Sequence, residues 1–368
     1  MSEPSVFSVE TVGELLFIGI DGVALTTQTR SLLERVRPGG VILFKRNVKD
    51  LTGLADLCDE IRAAVAPPPL LAIDEEGGRV TRIAPHVEGL PPACATAGID
   101  PVRLRGYWRR YGDLLSALGI DIDFAPVVDL CPPDAANGIA DRSFGADAER
   151  AIACARQVIA GLLEAGVLPA LKHFPGLGST LLDSHHHLPA IRKSREAFER
   201  EDLAPFLALA GEAPSVMIGH GHYPFYSGAD PVAATLSREV STGLLRERVG
   251  FAGAAISDDL EMKAVSARIP WEDLAPRAIE AGCDMVLVCH SAERILAAHE
   301  ALRRRAGSDR SFFGRCREAA ARVAGLRDAA AEARSRASLP PGSSGRDRIE
   351  PARSLLAQTV SALRDGAA

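Results

Sequence analysis

The chain has 368 residues, 47% of them hydrophobic and 24% charged, with a formal net charge of -6. That balance excludes a disordered or fibrous chain and fits a soluble globular protein with a full-sized core. It carries no long Lys/Arg run of the kind that marks nucleic-acid binding, and no apolar run approaches a membrane span. The short basic cluster Arg303-Arg304-Arg305 falls in a surface helix pattern and reads as a solvated face. Seven scattered cysteines without Cys-x-x-Cys spacing argue against a disulfide framework or zinc ribbon and for a reducing compartment. Met1-Ser2-Glu3-Pro4 lacks the basic start of a signal peptide. A cytoplasmic protein is expected.

Short apolar runs alternate with amphipathic stretches from end to end. The predicted strands are Leu16–Ile20, Val41–Phe44, Leu70–Ile73, Ile122–Val128, Leu168–Leu171, Val216–Gly219, Ala254–Ser257 and Met285–Cys289. Between them the 3.6-residue period predicts helices over Leu51–Val65, Val102–Leu118, Ala148–Ala165, Arg195–Ala210, Arg238–Val249 and Trp271–Ala281. Such alternation implies a parallel sheet with crossover helices, hence an α/β fold. Eight strands point to a single (β/α)8 TIM-like barrel with a C-terminal helical extension. Ala292–Arg305 and Arg310–Ala333 read as closing helices, which gives one barrel domain over residues 1–334. Residues 335–368 read as a tail. It holds a linker rich in Pro, Gly and Ser (Leu339-Pro340-Pro341-Gly342-Ser343-Ser344-Gly345) and a last amphipathic segment, Pro351–Leu363, that can dock back on the barrel.

Barrel enzymes keep their chemistry at the C-terminal strand ends, and polar residues collect there. Behind the fifth strand run Lys172-His173-Phe174-Pro175-Gly176-Leu177-Gly178 and then Asp183-Ser184-His185-His186-His187. The Asp183/His185 pair lets a carboxylate hold an imidazole in one tautomer. Behind the third strand, Asp74 opens the run Asp74-Glu75-Glu76-Gly77-Gly78-Arg79-Val80-Thr81-Arg82, and a carboxylate there can accept two sugar hydroxyls. For Glu75 and Glu76 the better expectation is a helix N-terminus whose dipole they offset. Arg142 of Asp141-Arg142-Ser143-Phe144-Gly145 reads either as a ligand clamp or as a salt-bridged loop residue. His220 is a candidate for the pocket and His222 for a structural role. Behind the seventh strand come Ser257-Asp258-Asp259, one aspartate suited to act as nucleophile or base and the other to cap the next helix.

Taken together, Asp74-x-x-Gly77-Gly78-Arg79, Lys172-His173-Phe-Pro-Gly, Asp183-x-His185 and Ser257-Asp258-Asp259 resemble the family 3 glycoside hydrolases. Within that family the chain is most similar to the bacterial β-N-acetylglucosaminidases that trim cell-wall muropeptides. The resemblance runs from about Leu15 to Val288 and includes Gly39-Gly40-Val41-Ile42-Leu43-Phe44 and Ala281-Gly282-Cys283-Asp284-Met285-Val286-Leu287-Val288.

The resemblance implies Asp258 as nucleophile and His185 as general acid/base with Asp183 as its partner. It implies Lys172 and His173 as ligands of the N-acetylglucosamine ring, Asp74 as acceptor of sugar hydroxyls, and Arg82 and Arg142 as further sugar-binding residues. It implies no metal or other cofactor, and as partner only a small glycan or muropeptide, with neither nucleic acid nor membrane and a monomeric chain. The implied reaction is a retaining hydrolysis of terminal non-reducing N-acetylglucosamine, with 1,6-anhydro-muropeptides as the favoured substrate. Alternatives are a phosphorylase on the same site, a non-catalytic sugar-binding barrel and, more weakly, metal hydrolysis through His185, His186 and His187. Two departures from the family pattern stand out. Leu177 replaces a frequent histidine, and Gly219-His220-Gly221-His222 replaces a single histidine followed by an apolar residue.

Overall fold

Runs such as Val41-Ile42-Leu43 and Leu70-Leu71-Ala72-Ile73 are apolar at every position, because a strand in a closed parallel sheet is buried on both faces. The computed structural model describes residues 7–84, 86–87, 91–132, 134–135, 137–180, 188–336 and 345–365. Its eight parallel strands are β1 (Leu16–Gly19), β2 (Gly40–Leu43), β3 (Leu70–Ile73), β4 (Ile122–Asp123), β5 (Leu168–Phe174), β6 (Ser215–Ile218), β7 (Ala254–Asp259) and β8 (Met285–Val288). They are paired in sequence order, and β8 closes on β1 with Leu16 opposite Val286. The result is a (β/α)8 barrel.

The predicted elements match except where a proline or a weak stripe intervenes. β4 is two residues long rather than seven, because Pro126 has no N–H to give the sheet. The backbone nonetheless keeps its path beside β5, with Val128 N donating to Lys172 O at 2.8 Å. The single helix expected over Arg195–Ala210 is two, Arg195–Arg200 and Ala204–Leu209. Pro205 would clash with a continuing turn, and Asp202 between the pieces is buried against Lys193 at 2.5 Å. The helix Thr27–Val36 escapes sequence reading because only Leu33 and Val36 reach the core. Residues 239–248 are helical as expected, but in π-type winding.

The 27-residue helix Arg310–Arg336 runs beneath the barrel and grips its N-terminal end. Asp284, wholly buried just before β8, accepts from Arg315 at 2.8 Å, Arg322 at 3.1 Å and Arg246 at 2.5 Å, and from Ala255 N at 2.9 Å. Farther along, Arg327 meets Glu14 at 2.9 Å and Arg334 meets buried Asp121. The last helix, Gly345–Asp365, seats Ile349, Leu356 and Val360 in the core and lies along the helix Pro101–Ala117. No helix among the described residues is long and apolar enough to cross a membrane.

The lower end of the barrel thus depends on one carboxylate shared by three arginines. Removing one partner of a buried ionic cluster strands the others, so Asp284→Ala is expected to cost about 3–5 kcal/mol in urea unfolding. A loss below about 1 kcal/mol would mean that solvent satisfies the arginines.

Candidate active site

A cavity of about 580 Å³ opens at the C-terminal ends of the strands. Asp74, Glu76 and Arg82 after β3, Arg142, Lys172 and His173 of β5, and Asp258 and Asp259 of β7 all line it. Six of the residues singled out in the sequence as site candidates (Asp74, Arg82, Arg142, Lys172, His173 and Asp258) therefore meet around one space. Asp183 and His185, with His186 and His187, lie outside the described residues. On either side of that stretch, Thr180 and Pro189 both line the cavity.

One wall is a chain of ion pairs. Arg82 Nη2 donates to Asp74 Oδ2 at 2.9 Å, and Lys172 Nζ donates to Asp74 Oδ1 at 2.7 Å. The same ammonium reaches Glu76 Oε1 at 2.5 Å. Arg142 clasps Glu76 with two bonds, Nε to Oε2 at 2.6 Å and Nη2 to Oε1 at 2.8 Å. The planar fork of a guanidinium matches a carboxylate in this way. Burial pushes the Asp74 and Glu76 carboxyls up, but Lys172 with Arg82 on one side and Arg142 with Lys172 on the other outweigh it. Both carboxyls stay below their ordinary range. Burial likewise pulls the Lys172 ammonium down, and Asp74 and Glu76 lift it above its ordinary value. Every member of the wall is thereby held charged.

The expectation that Glu75 and Glu76 begin a helix is corrected: residues 74–82 form a tight turn held by Gly77 and Val80, with no helix. Glu76 belongs to the cavity wall. Glu75 points the other way, into the core, where its carboxyl accepts Arg82 N at 2.6 Å, Ile83 N at 2.9 Å and the Tyr111 hydroxyl at 2.6 Å. It thus pins the turn that carries Asp74 and Arg82. Burial pushes its carboxyl up to about 7 despite those hydrogen bonds. Beside it, wholly buried Asp123 accepts Glu75 N at 2.9 Å through one oxygen, while the other has no partner. Burial raises that carboxyl well above its ordinary value, which favours its neutral form behind Asp74.

On the opposite side, the Asp258 carboxylate accepts the backbone N–H of Asp259, at 2.8 Å, and faces the cavity without a cationic partner among the described residues. Asp259 does not cap the next helix, whose N-cap is Met262. It accepts Glu261 N at 3.0 Å and lies 3.4 Å from His290 Nε2, and burial pushes its carboxyl up to about 7. His220 lies behind the cavity, its ring nitrogens 2.9 Å from Thr235 Oγ1 and 2.9 Å from Asp259 O, where it fixes the end of β7. His222 lies 3.2 Å from Val232 O, a structural position. The Leu177 side chain fills a small apolar cluster with Val127, Cys131 and Ile139, and its backbone N–H donates to Asp129 Oδ1 at 2.7 Å.

Sequence reading passed over Asp129, which is wholly buried behind β4 and lies 2.7 Å from His173 Nδ1. It directly follows the apolar run Ile122–Val128, and the strand-end rule applied to that run finds it.

Glu75 supplies a test of this electrostatic picture. Its folded value near 7 lies above the unfolded value of about 4.3. The folded state therefore favours the protonated form, a contribution fully present below about pH 4 and lost as pH rises through about 7. Glu75→Gln keeps acceptors for Arg82 N and Ile83 N and removes the titration. Its stability relative to the parent is expected to improve by about 2 kcal/mol between pH 5 and pH 8 in urea unfolding. A difference independent of pH would show that the carboxyl is ionised throughout.

The sequence and the fold have known counterparts. Residues 9–324 match the family model described as glycosyl hydrolase family 3 N terminal domain. The chain is 40% identical over 291 residues to a beta-hexosaminidase of Alkalilimnicola ehrlichii, covering 77% of this chain and 82% of that one. It is 38% identical over 295 residues to a beta-hexosaminidase of Pseudomonas aeruginosa, covering 78% and 87%. Among solved structures, a family 3 β-N-acetylglucosaminidase of Paenibacillus superposes with a TM-score of 0.82 at 33% identity, covering 95% of this chain and 68% of that one. A β-N-acetylhexosaminidase of Beutenbergia cavernae gives 0.81 at 29%, covering 88% and 100%. With its eight-stranded barrel and the charged cavity at the strand ends, this chain belongs to glycosyl hydrolase family 3.

Proposed function

We propose that the chain is a retaining exo-β-N-acetylglucosaminidase that removes terminal non-reducing N-acetylglucosamine from small glycans. Its natural substrates are proposed to be 1,6-anhydro-muropeptides released in peptidoglycan turnover, handled in the cytoplasm by a monomeric enzyme. The observation that carries the reading is the contrast across the cavity. One wall holds fully paired charges suited to grip hydroxyls, and Asp258 faces it as a carboxylate with no cationic partner among the described residues. The likeness to a β-N-acetylglucosaminidase of Paenibacillus supports the same sugar.

In this mechanism Asp74, Lys172, His173, Arg82 and Arg142 bind the ring, and Asp258 attacks the anomeric carbon to form a covalent glycosyl-enzyme. The leaving oxygen takes a proton from His185, which then deprotonates the water that releases the sugar. Most retaining glycosidases use a second carboxylate for that work. An imidazole titrates near neutrality, and Asp183 two residues away in sequence is its proposed partner.

The first test is 4-nitrophenol release from its β-N-acetylglucosaminide by the wild type and by Asp258→Asn. The variant is expected to fall by about a thousand-fold or more in kcat while keeping its unfolding midpoint. Near-normal turnover would sink the nucleophile assignment. For His185→Ala the loss is expected to be about ten-fold or more greater on substrates with poorly acidic leaving groups than on 4-nitrophenyl ones, since only the former need a proton. An equal loss on both would remove the acid role.

A further inference from the structure

A second cavity, of about 430 Å³, lies at the other end of the barrel, between two helices. The helix Glu239–Arg248 and its N-cap bring Arg238 and Arg246 to it, and the helix Arg310–Arg336 brings Arg315 and Arg322. Arg315 and Arg322 are two α-helical turns apart and so share one face. On that face Gly314 leaves the groove open, since a Cβ there would meet nothing within 4 Å.

The charges around this groove do not balance. Arg246, Arg315 and Arg322 share the single carboxylate of Asp284. Arg246 Nε and Arg315 Nη1 are buried without a hydrogen-bond partner among the described residues. Arg238 adds a fourth cation, exposed and without an ion pair among the described residues. Glu247 and Glu318 also line the groove, and Glu318 comes no nearer to Arg315 than 3.9 Å. Both glutamates are exposed, so solvent screens them. Four guanidinium groups therefore meet one buried carboxylate and two screened ones. The imbalance is felt at Arg246. Burial pulls its guanidinium below the ordinary value, Asp284 lifts it by less, and the charges of Arg322 and Arg315 pull it farther down.

We propose that this groove binds a single phosphate group, either free or as the monoester of a small molecule. The proposal does not depend on the reaction proposed above. A guanidinium fork matches phosphate oxygens as it matches a carboxylate, with parallel N–H donors. Arg238 is exposed and the Arg322 side chain is 32% exposed, so both can reach a ligand from the groove. One phosphate answers the cationic surplus, while Glu247 and Glu318 stand against a longer polyanion. The volume falls within the range of about 300–1,000 Å³ typical of small-molecule pockets, which leaves room for a carrier. A ligand here also answers the arginines that tie the helix Arg310–Arg336 to the barrel, so its binding stabilises the folded chain.

The test titrates inorganic phosphate and glucose 6-phosphate into the full chain by calorimetry at constant ionic strength, with sodium chloride and glucose as blanks. The wild type is expected to bind at least one of the two with a Kd of about 1 mM or tighter. At ten times that Kd its unfolding midpoint is expected to rise by about 2–4 °C. The tighter probe identifies the source, and equal affinities mean that the phosphate group alone is read. Arg238→Ala is expected to weaken binding by about ten-fold, with its midpoint in chloride and its release of 4-nitrophenol as in the wild type. Glu318→Gln removes an opposing charge and is expected to tighten binding by about two- to five-fold. No saturable heat from either probe up to about 20 mM overturns the proposal. So does binding that Arg238→Ala leaves unchanged, which would belong to the Lys172 wall, and so does weaker binding in Glu318→Gln. A midpoint rise that sodium chloride reproduces is general screening and overturns it as well.

Discussion

Lys172 is an ammonium 1% exposed at the end of a barrel strand, and the upper half of the molecule is arranged around its charge. Taking such a group out of water costs several kcal/mol unless partners restore what solvent gave it. Asp74 and Glu76 do so at 2.7 and 2.5 Å. Each of those carboxylates then needs its own second partner, which brings in Arg82 and Arg142, and through Arg142 the ring of His173. The wall balances, with three cations against Asp74, Glu76 and the Asp129 that holds His173. A chain of this kind gives a ligand fixed donors and acceptors without reorganisation, which is what differential binding of a transition state needs.

The two ends of the barrel use buried charge in different ways. Below, Asp284, Asp121 and Glu14 tie the strands to arginines of the helix Arg310–Arg336, and no open carboxylate is left at the centre of that cluster. Above, the pairing is complete on one wall, while Asp258 has no cationic partner among the described residues. Behind the upper wall, Glu75 and Asp123 are pushed toward their neutral forms, so that Asp74 does not face two further full charges. The lower end closes these carboxylates on arginines, while the upper end turns the Asp258 carboxylate to the cavity.

Much of this was legible in the residues. Asp74, Lys172, His173 and Asp258 stand directly after or within apolar runs, and a barrel brings every such strand end to one face, so their meeting followed from the topology. Glu76 was misread because acidic residues behind a strand look the same whether a helix or a tight turn follows, and Gly77 and Gly78 decided for the turn. Asp129 directly follows the apolar run Ile122–Val128, but no local signal pairs it with His173, 44 residues away. Leu177 departs from the family's frequent histidine, yet the bond made at that position among the described residues is the backbone N–H to Asp129, which any residue but proline supplies.

By itself the sequence determined the order of strands and helices, the closed barrel and the family, because burial on both faces writes itself as uninterrupted apolar runs and the strand-end motifs keep their order. Only the tertiary structure decided which charge answers which. Lys172 and Asp74 are 98 residues apart, Arg142 and Glu76 are 66, and Asp129 and His173 are 44. Partners at such separations are chosen by the geometry of neighbouring strand ends and by the cost of leaving a buried charge unpaired, and neither leaves a local mark along the chain.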